Sequence, residues 1–288
     1  MKNSMTQSDF PGVKNRVRLI RLFKKIYQSL KFRHHRQKTI LFIIGCQRSG
    51  TTLLTERIFE RDLDTRVYKE VSVLSRRNMP GTRLNPLRLV KSEIGRNSAR
   101  LIILKPLVET QNAVRLLNYF EGSAAVWMYR HYKDAAASNL RHFGLRNGID
   151  NLRPIIRNDI RSWRAEHVSP EVRKTVLKYF SETMNPHDAA ALFWFVRNRF
   201  FFELGLDQRS DVMMCKYEHL VRNPHDTVRR IYEFAGHDFP GEKIVGEVHS
   251  ASLGKGKAIP LSRDMEFLCE ELFGKLSQAY EKQRTMRM

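Results

Sequence analysis

Thr39-Ile-Leu-Phe-Ile-Ile-Gly45-Cys46-Gln47-Arg48-Ser49-Gly50-Thr51-Thr52-Leu53-Leu54 is the stretch that decides the fold. A short apolar run enters a loop bounded by two glycines, and a helical pattern opens at Thr51. In a strand–loop–helix unit of this kind, backbone N–H groups converge on a tetrahedral anion at the positive end of the helix. The loop fits the nucleotidase pattern G-x-x-x-x-G-K-[ST] except at one place, where Thr51 stands instead of Lys. Phosphate or sulfate binding is the expectation. A glycine-containing turn without a ligand is the plainer alternative.

Outward from this loop, three more apolar runs precede polar turns and helical patterns: Arg100–Lys105, Ala124–Tyr129 and Asp211–Tyr217. Helices are expected at about 51–60, 109–120, 134–143, 155–181 (broken near Pro170), 187–204, 224–236 and 263–281. Continuous apolar strands alternating with helices predict an α/β fold, a P-loop-type parallel sheet flanked by helices. Ligands of such sheets bind at the carboxyl ends of the strands. Here those ends carry Lys105, Arg130 and Tyr217, and none carries the acid that would anchor magnesium. Cations without that acid suit transfer of an anionic group, so no metal is expected and an ATPase or kinase is disfavoured.

The chain of 288 residues is long enough for one large α/β domain. No apolar stretch approaches the ~20 residues of a membrane span, and no signal-peptide pattern is present. Cys46, Cys215 and Cys269 are odd in number and far apart, which points to a reducing compartment and a cytoplasmic location. Lys and Arg number 51 against 30 Asp and Glu, a formal charge of +21. Such a surface expects anionic partners. Residues 1–38 hold 11 of the cations and one acid, Asp9, and read as a basic extension to a domain spanning 39–288. Apolar residues at Val13, Val17, Ile20, Phe23, Ile26, Tyr27 and Leu30 step by three and four, so Val13–Leu30 is expected to be an amphipathic helix. Docking on its own domain and peripheral contact with a membrane both fit that pattern.

At this point the motifs resemble a known family. Gly45-x-x-Arg48-Ser49-Gly50-Thr51-Thr52 is similar to the 5′-phosphosulfate-binding loop of sulfotransferases that use 3′-phosphoadenosine-5′-phosphosulfate (PAPS). Gln47 lies within the same loop. A second family motif reads here as Tyr129-Arg130-His131-Tyr132-Lys133-Asp134-Ala-Ala-Ala-Ser138. The resemblance implies that Arg130 and Ser138 hold the 3′-phosphate, Arg130 through its forked charged donors and Ser138 through a hydroxyl near a helix start. His131-Tyr132 replaces the Asp/Asn-Pro of many members. A third match, Tyr217-Glu218-His219-Leu220…Asn223-Pro224, resembles the segment whose Tyr lies beside the adenine, with Asn223 expected as N-cap and Pro224 at N1. Ser252-Leu253-Gly254-Lys255-Gly256-Lys257 is similar to the loop that closes on the 3′-phosphate, which brings in Lys255 and Gly256.

Two departures separate the chain from the cytosolic phenol and steroid sulfotransferases. Leu53 stands where those enzymes carry Trp, and Lys105 is followed by Pro106-Leu107-Val108 with no His. The pattern is closer to the carbohydrate and tyrosylprotein enzymes. In-line transfer to a hydroxyl needs a base. Glu70 follows Arg66-Val67-Tyr68-Lys69 and matches by position the catalytic Glu of those enzymes. A surface Glu paired with Lys69 or Arg66 is the alternative. The resemblance places Lys105 beside the leaving group, where an ammonium offsets developing charge and Arg48 shares the task. Arg76, Arg77, Arg83, Arg88, Lys91 and Arg96 favour an anionic acceptor such as a saccharide.

The expected function is therefore sulfuryl transfer from PAPS to a hydroxyl acceptor, carbohydrate favoured. The alternative is a basic nucleic-acid- or membrane-binding protein with a vestigial loop. That alternative does not need Arg48, Arg130, Ser138 and Tyr217 in family register, so nucleic acid is not the expected partner.

Overall fold

The computed structural model describes residues 22–32, 37–76 and 82–286. Its centre is a parallel sheet of five strands, drawn from seven: β1 (Thr39–Gly45), β2 (Thr65–Tyr68), β3 (Ser75–Arg76), β4 (Arg83–Leu84), β5 (Leu101–Leu104), β6 (Ala124–Tyr129) and β7 (Val212–Lys216). The order across the sheet is β2-β5-β1-β6-β7, and β3 pairs with β4 in a separate antiparallel ribbon. Register sets Thr39 opposite Leu101 on one side of β1 and Leu41 opposite Ala124 on the other.

The strands read as unbroken apolar runs because both faces of the sheet are covered. Phe42, Ile44, Trp127 and Tyr129 enter one core, whereas Leu41, Ile43, Val126 and Met128 enter the other. Alternate side chains of one strand point to opposite faces, so a single run supplies both cores. The chain leaves β1 between β5 and β6, which places a crevice at the carboxyl end of the sheet.

The helices are α1 over 22–31, α2 (Leu87–Gly95), α3 (Ala113–Tyr119), α4 (Tyr132–Phe143), α5 (Asn147–Ile156), α6 (Pro170–Tyr179), α7 (Pro186–Glu203), α8 (Tyr217–Arg222), α9 (Pro224–Phe234) and α10 (Arg263–Met286). A further helix after the first loop is α-helical at 51–52, wide-turned through Leu53–Ile58 and 3-10 at Phe59–Arg61. Such wide turns recur at functional sites. Local chemistry starts several helices. Ser169 accepts from the Val172 N–H with Pro170 at N1, and Asn185 accepts from the His187 N–H with Pro186 at N1. Pro224 opens α9, but the Asn223 side chain makes no capping bond.

Three expectations need correction. The helix expected over 155–181 keeps its break near Pro170, which opens α6, but before that break the chain is helical only to Ile156, the end of α5, and turns fill 157–169. Asn158 and His167 both adopt positive φ there, which ends helical geometry without a glycine to announce it. The helix expected at 134 begins at Tyr132, because the His131 ring accepts from the Lys133 N–H and caps it. Ser138 therefore lies in the second turn of α4, not near its start.

Within the expected Val13–Leu30 helix, residues 13–21 lie outside the described residues. The remainder, α1, docks by its polar side. Lys24 donates to the Glu60 carbonyl at 3.1 Å, and Gln28 donates to the carbonyls of Leu63 and Thr65 at 2.7 and 2.9 Å. Leu22, Phe23, Ile26 and Leu30 are exposed.

Candidate active site

A cavity of about 550 Å³ opens at the carboxyl end of the sheet, where β1, β2, β5, β6 and β7 each deliver one part of its lining. After β1, the loop carries Arg48 at φ 66° and Gly50 at φ 95°, left-handed positions of the kind that build anion-binding backbone concavities. Glycine at 50 is also a packing requirement. A Cβ there would lie 2.3 Å from the Tyr217 ring. Two donors of the loop have no protein partner: the Gln47 amide nitrogen and the buried Ser49 hydroxyl.

Around this loop stand cations that no carboxylate neutralises fully. Arg48 donates through Nε to the Ser138 hydroxyl at 3.1 Å. Burial, and then the neighbouring Arg130 charge, pull the Arg48 pKa below its ordinary value. Arg130 is 6% exposed and lies 4.2 Å over the Tyr217 ring, while its Nε has no partner. Its Nη2 donates to the Ser252 carbonyl at 2.7 Å and sits 3.5 Å from Asp134. Trp194 holds the Arg130 carbonyl at 3.0 Å. Like charges gathered with donors to spare are a receptor for an oxyanion.

The segment 252–257 folds over this end. Asp134 accepts from the N–H groups of Gly254 and Gly256 at 2.9 and 2.7 Å, and the Tyr217 and Ser252 hydroxyls bond to each other. Only glycine fits at 256, since a Cβ would meet the Lys133 carbonyl at 2.3 Å. Lys255 is exposed and lines the cavity.

On the other side of Thr52 lies a compact acid–base group. The Lys105 ammonium, buried to 6%, donates to Thr52 Oγ1 at 3.0 Å and to Glu56 at 3.3 Å, with Glu70 at 3.7 Å. The two carboxylates are driven apart. For Glu56, burial opposes ionisation, but bonds from Lys69 and Lys105 outweigh it and hold the carboxyl below its usual range. For Glu70, burial raises the pKa, Lys105 offsets this in part and the Glu56 charge adds to it. Of the two, Glu70 is held above and Glu56 below its ordinary carboxylate value.

The cavity thus gathers Gly45, Gln47, Arg48, Gly50, Thr51, Thr52, Glu70, Lys105, Arg130, Ser138, Tyr217 and Lys255 in one lining. Ser49 and Gly256 are buried and do not enter that lining. Glu70 pairs with neither Lys69, which binds Glu56, nor Arg66, which lies over Tyr68. His249 is exposed and outside the cavity lining. Sequence reasoning missed Glu56, Arg141, Trp163 and the role of Asp134. Glu56 was within reach, because it lies four residues after Thr52 on one helix face.

Comparison with known proteins assigns the class. The sulfotransferase domain family model matches residues 38–283, and the chain belongs to that family. Among solved structures it is similar to the sulfotransferase domain of the Synechococcus PCC 7002 olefin synthase, at 15% identity and TM-score 0.51, covering 85% of this chain and 96% of that one. The sulfotransferase domain of the curacin biosynthetic pathway is similar at 18% identity and TM-score 0.52, with 84% and 98% covered. A sulfotransferase from Alicyclobacillus acidocaldarius shares 17% identity at TM-score 0.47, with 84% and 94% covered. No curated protein sequence matches the chain significantly.

Proposed function

We propose that the chain moves the sulfuryl group of PAPS to a hydroxyl acceptor, a saccharide hydroxyl first among the candidates, with Glu70 as general base. The observation that carries this reading is the split cavity. Under-neutralised Arg48 and Arg130 with unpartnered Gln47, Ser49 and Arg130 donors form one end, and the Lys105–Glu56–Glu70 group adjoins it.

In the proposed reaction the 5′-phosphosulfate lies on the N–H groups of loop 45–52, and the 3′-phosphate takes Arg130, Ser138 and Lys255. Tyr217 supports the nucleotide beside Gly50. The acceptor oxygen attacks sulfur in line and gives its proton to Glu70 as the bond from sulfur to the bridging phosphate oxygen breaks. Negative charge then grows on that oxygen, where Lys105 and Arg48 offset it. Thr52 orients the Lys105 ammonium. Leu53 in place of Trp, and the absence of a His after Lys105, keep the reading closer to the carbohydrate and tyrosylprotein pattern. Incubation with labelled PAPS and a panel of saccharides, phenols and tyrosyl peptides tests it. Label transfer to a hydroxyl supports the reading, and hydrolysis alone across the panel contradicts it.

For the extension, residues 1–38, we propose contact with an anionic surface. Among the described residues no helix is long and apolar enough to cross a membrane. The exposed Leu22, Phe23, Ile26 and Leu30 beside a cation-rich stretch favour lying on one. Phe23→Ser with Ile26→Ser should abolish flotation with phosphatidylglycerol vesicles; unchanged flotation would remove the assignment.

A further inference from the structure

Beyond the acid–base group, the far wall of the cavity comes from Leu107, Val108, Trp163, Phe193 and Arg197. Arg197 belongs to α7, whose other buried positions are mostly Ala, Leu, Phe and Trp. It is 1% exposed. Its Nη2 donates to the Gln111 amide oxygen at 3.0 Å. Gln111 donates in turn to Glu166 at 2.6 Å, and Glu166 already accepts two bonds from Arg83 at 2.6 and 3.2 Å. This carboxylate is therefore committed to Arg83, with an amide interposed before Arg197.

Arg197 is left with a charge and no ion pair among the described residues. The Trp163 and Phe200 rings lie 5.1 and 5.0 Å from its guanidinium carbon, which compensates only in part. Its Nη1 has no hydrogen-bond partner, and neither has the indole nitrogen of Trp163. Burial pulls the guanidinium pKa down to about 10, and the nearby Cys46 and Glu166 offset this only in part. A buried charge left unpaired is costly, and an anion entering the cavity would relieve it.

We propose that this wall is the acceptor subsite and that Arg197 Nη1 and Trp163 Nε1 receive an oxyanion, a carboxylate or sulfate, carried by the acceptor. The proposal rests on the sulfotransferase reading and names the substrate class: a hydroxyl compound that is already anionic. Trp163 and Phe193 supply apolar faces for its ring. Gln111 holds the fork of Arg197 in place, with Glu166 and Arg83 behind it.

The test compares two probes that differ in one carboxylate, para-nitrophenyl β-glucuronide and para-nitrophenyl β-glucoside. Each is titrated by calorimetry into the full chain, with and without 3′,5′-adenosine bisphosphate (PAP). The glucuronide should bind about tenfold or more tighter than the glucoside, the worth of one charge-assisted bond. Arg197→Gln should bring the ratio near one, and Arg197→Lys should keep part of it because the charge remains while the fork is lost. PAP affinity reports whether each variant is folded. Equal affinity of the two glycosides, binding of neither at millimolar concentration, or a preference that survives Arg197→Gln would each overturn the subsite. Failure of the wild type to bind PAP strikes the donor reading instead, and the glycoside pair without PAP still decides the subsite.

Discussion

The two ends of the cavity are built in opposite ways. The end around loop 45–52 takes most of its groups from the ends of strands, the loop after β1, Arg130 after β6 and Tyr217 after β7, with Ser138 of α4 and Lys255 added from beyond the sheet. The far wall uses side chains from a 3-10 turn, an irregular segment and the middle of α7, joined through Arg83, Glu166, Gln111 and Arg197. Strand tips are fixed by the sheet, which suits a constant anionic donor. A wall assembled from helices and turns can change with the acceptor while the sheet stays the same.

The largest expected effect lies where the two ends meet. Glu70→Gln should lower turnover by about 10²–10⁴-fold while PAP affinity stays close to wild type, since Gln keeps the size but takes no proton. The wild-type rate should fall as pH drops through the Glu70 pKa, because only the ionised carboxylate accepts a proton. That limb should lie above the usual carboxylate range, given the raised pKa, and should vanish in Glu70→Gln. Steady-state rates across pH check both statements. Near-normal turnover would move the base to another group.

Next in size is Arg130→Ala, which touches only the donor end. PAP should bind about 10–150-fold more weakly while 5′-AMP, which lacks the 3′-phosphate, is barely affected. Equal losses for the two nucleotides would show that Arg130 does not read the 3′-phosphate. Gly256→Ala should act on the same end more weakly. Its methyl would collide with the Lys133 carbonyl and lift segment 252–257 off Asp134, so PAP affinity should fall about three- to tenfold, the worth of one lost hydrogen bond. Smallest for the site is Gln28→Ala in α1. It removes two bonds to the Leu63 and Thr65 carbonyls and should cost about 1–3 kcal/mol of stability in urea unfolding, with PAP affinity unchanged.

The same contrast explains what could be read before the structure. Thr39–Thr52 announces strand, anion loop and helix in one continuous segment, and the apolar run of β6 leads straight to Arg130. Those features depend on neighbours in sequence, so patterning exposes them. The role of Arg197 is not legible in the sequence, because its partners Gln111 and Trp163 are distant along the chain and arrive only by packing. Trp163 fell inside an expected helix, since Asn158 and His167 tolerate positive φ more readily than most residues but do not require it, so their types alone do not mark the break. The α1 stripe was legible as periodicity but not as orientation. Polar Lys24 and Gln28 find backbone carbonyls on the body, and the apolar side faces outward.

The central claim is that loop 45–52, with Arg130 and Ser138, holds a 3′,5′-bisphosphorylated nucleotide without magnesium. Calorimetry of the wild type tests this most directly, with PAP titrated in the presence of a chelator and ATP with magnesium titrated separately. The account predicts a stoichiometric site for PAP in chelator and little heat from ATP with magnesium. Binding of ATP with magnesium as tight as that of PAP, or no PAP binding in chelator, would contradict it.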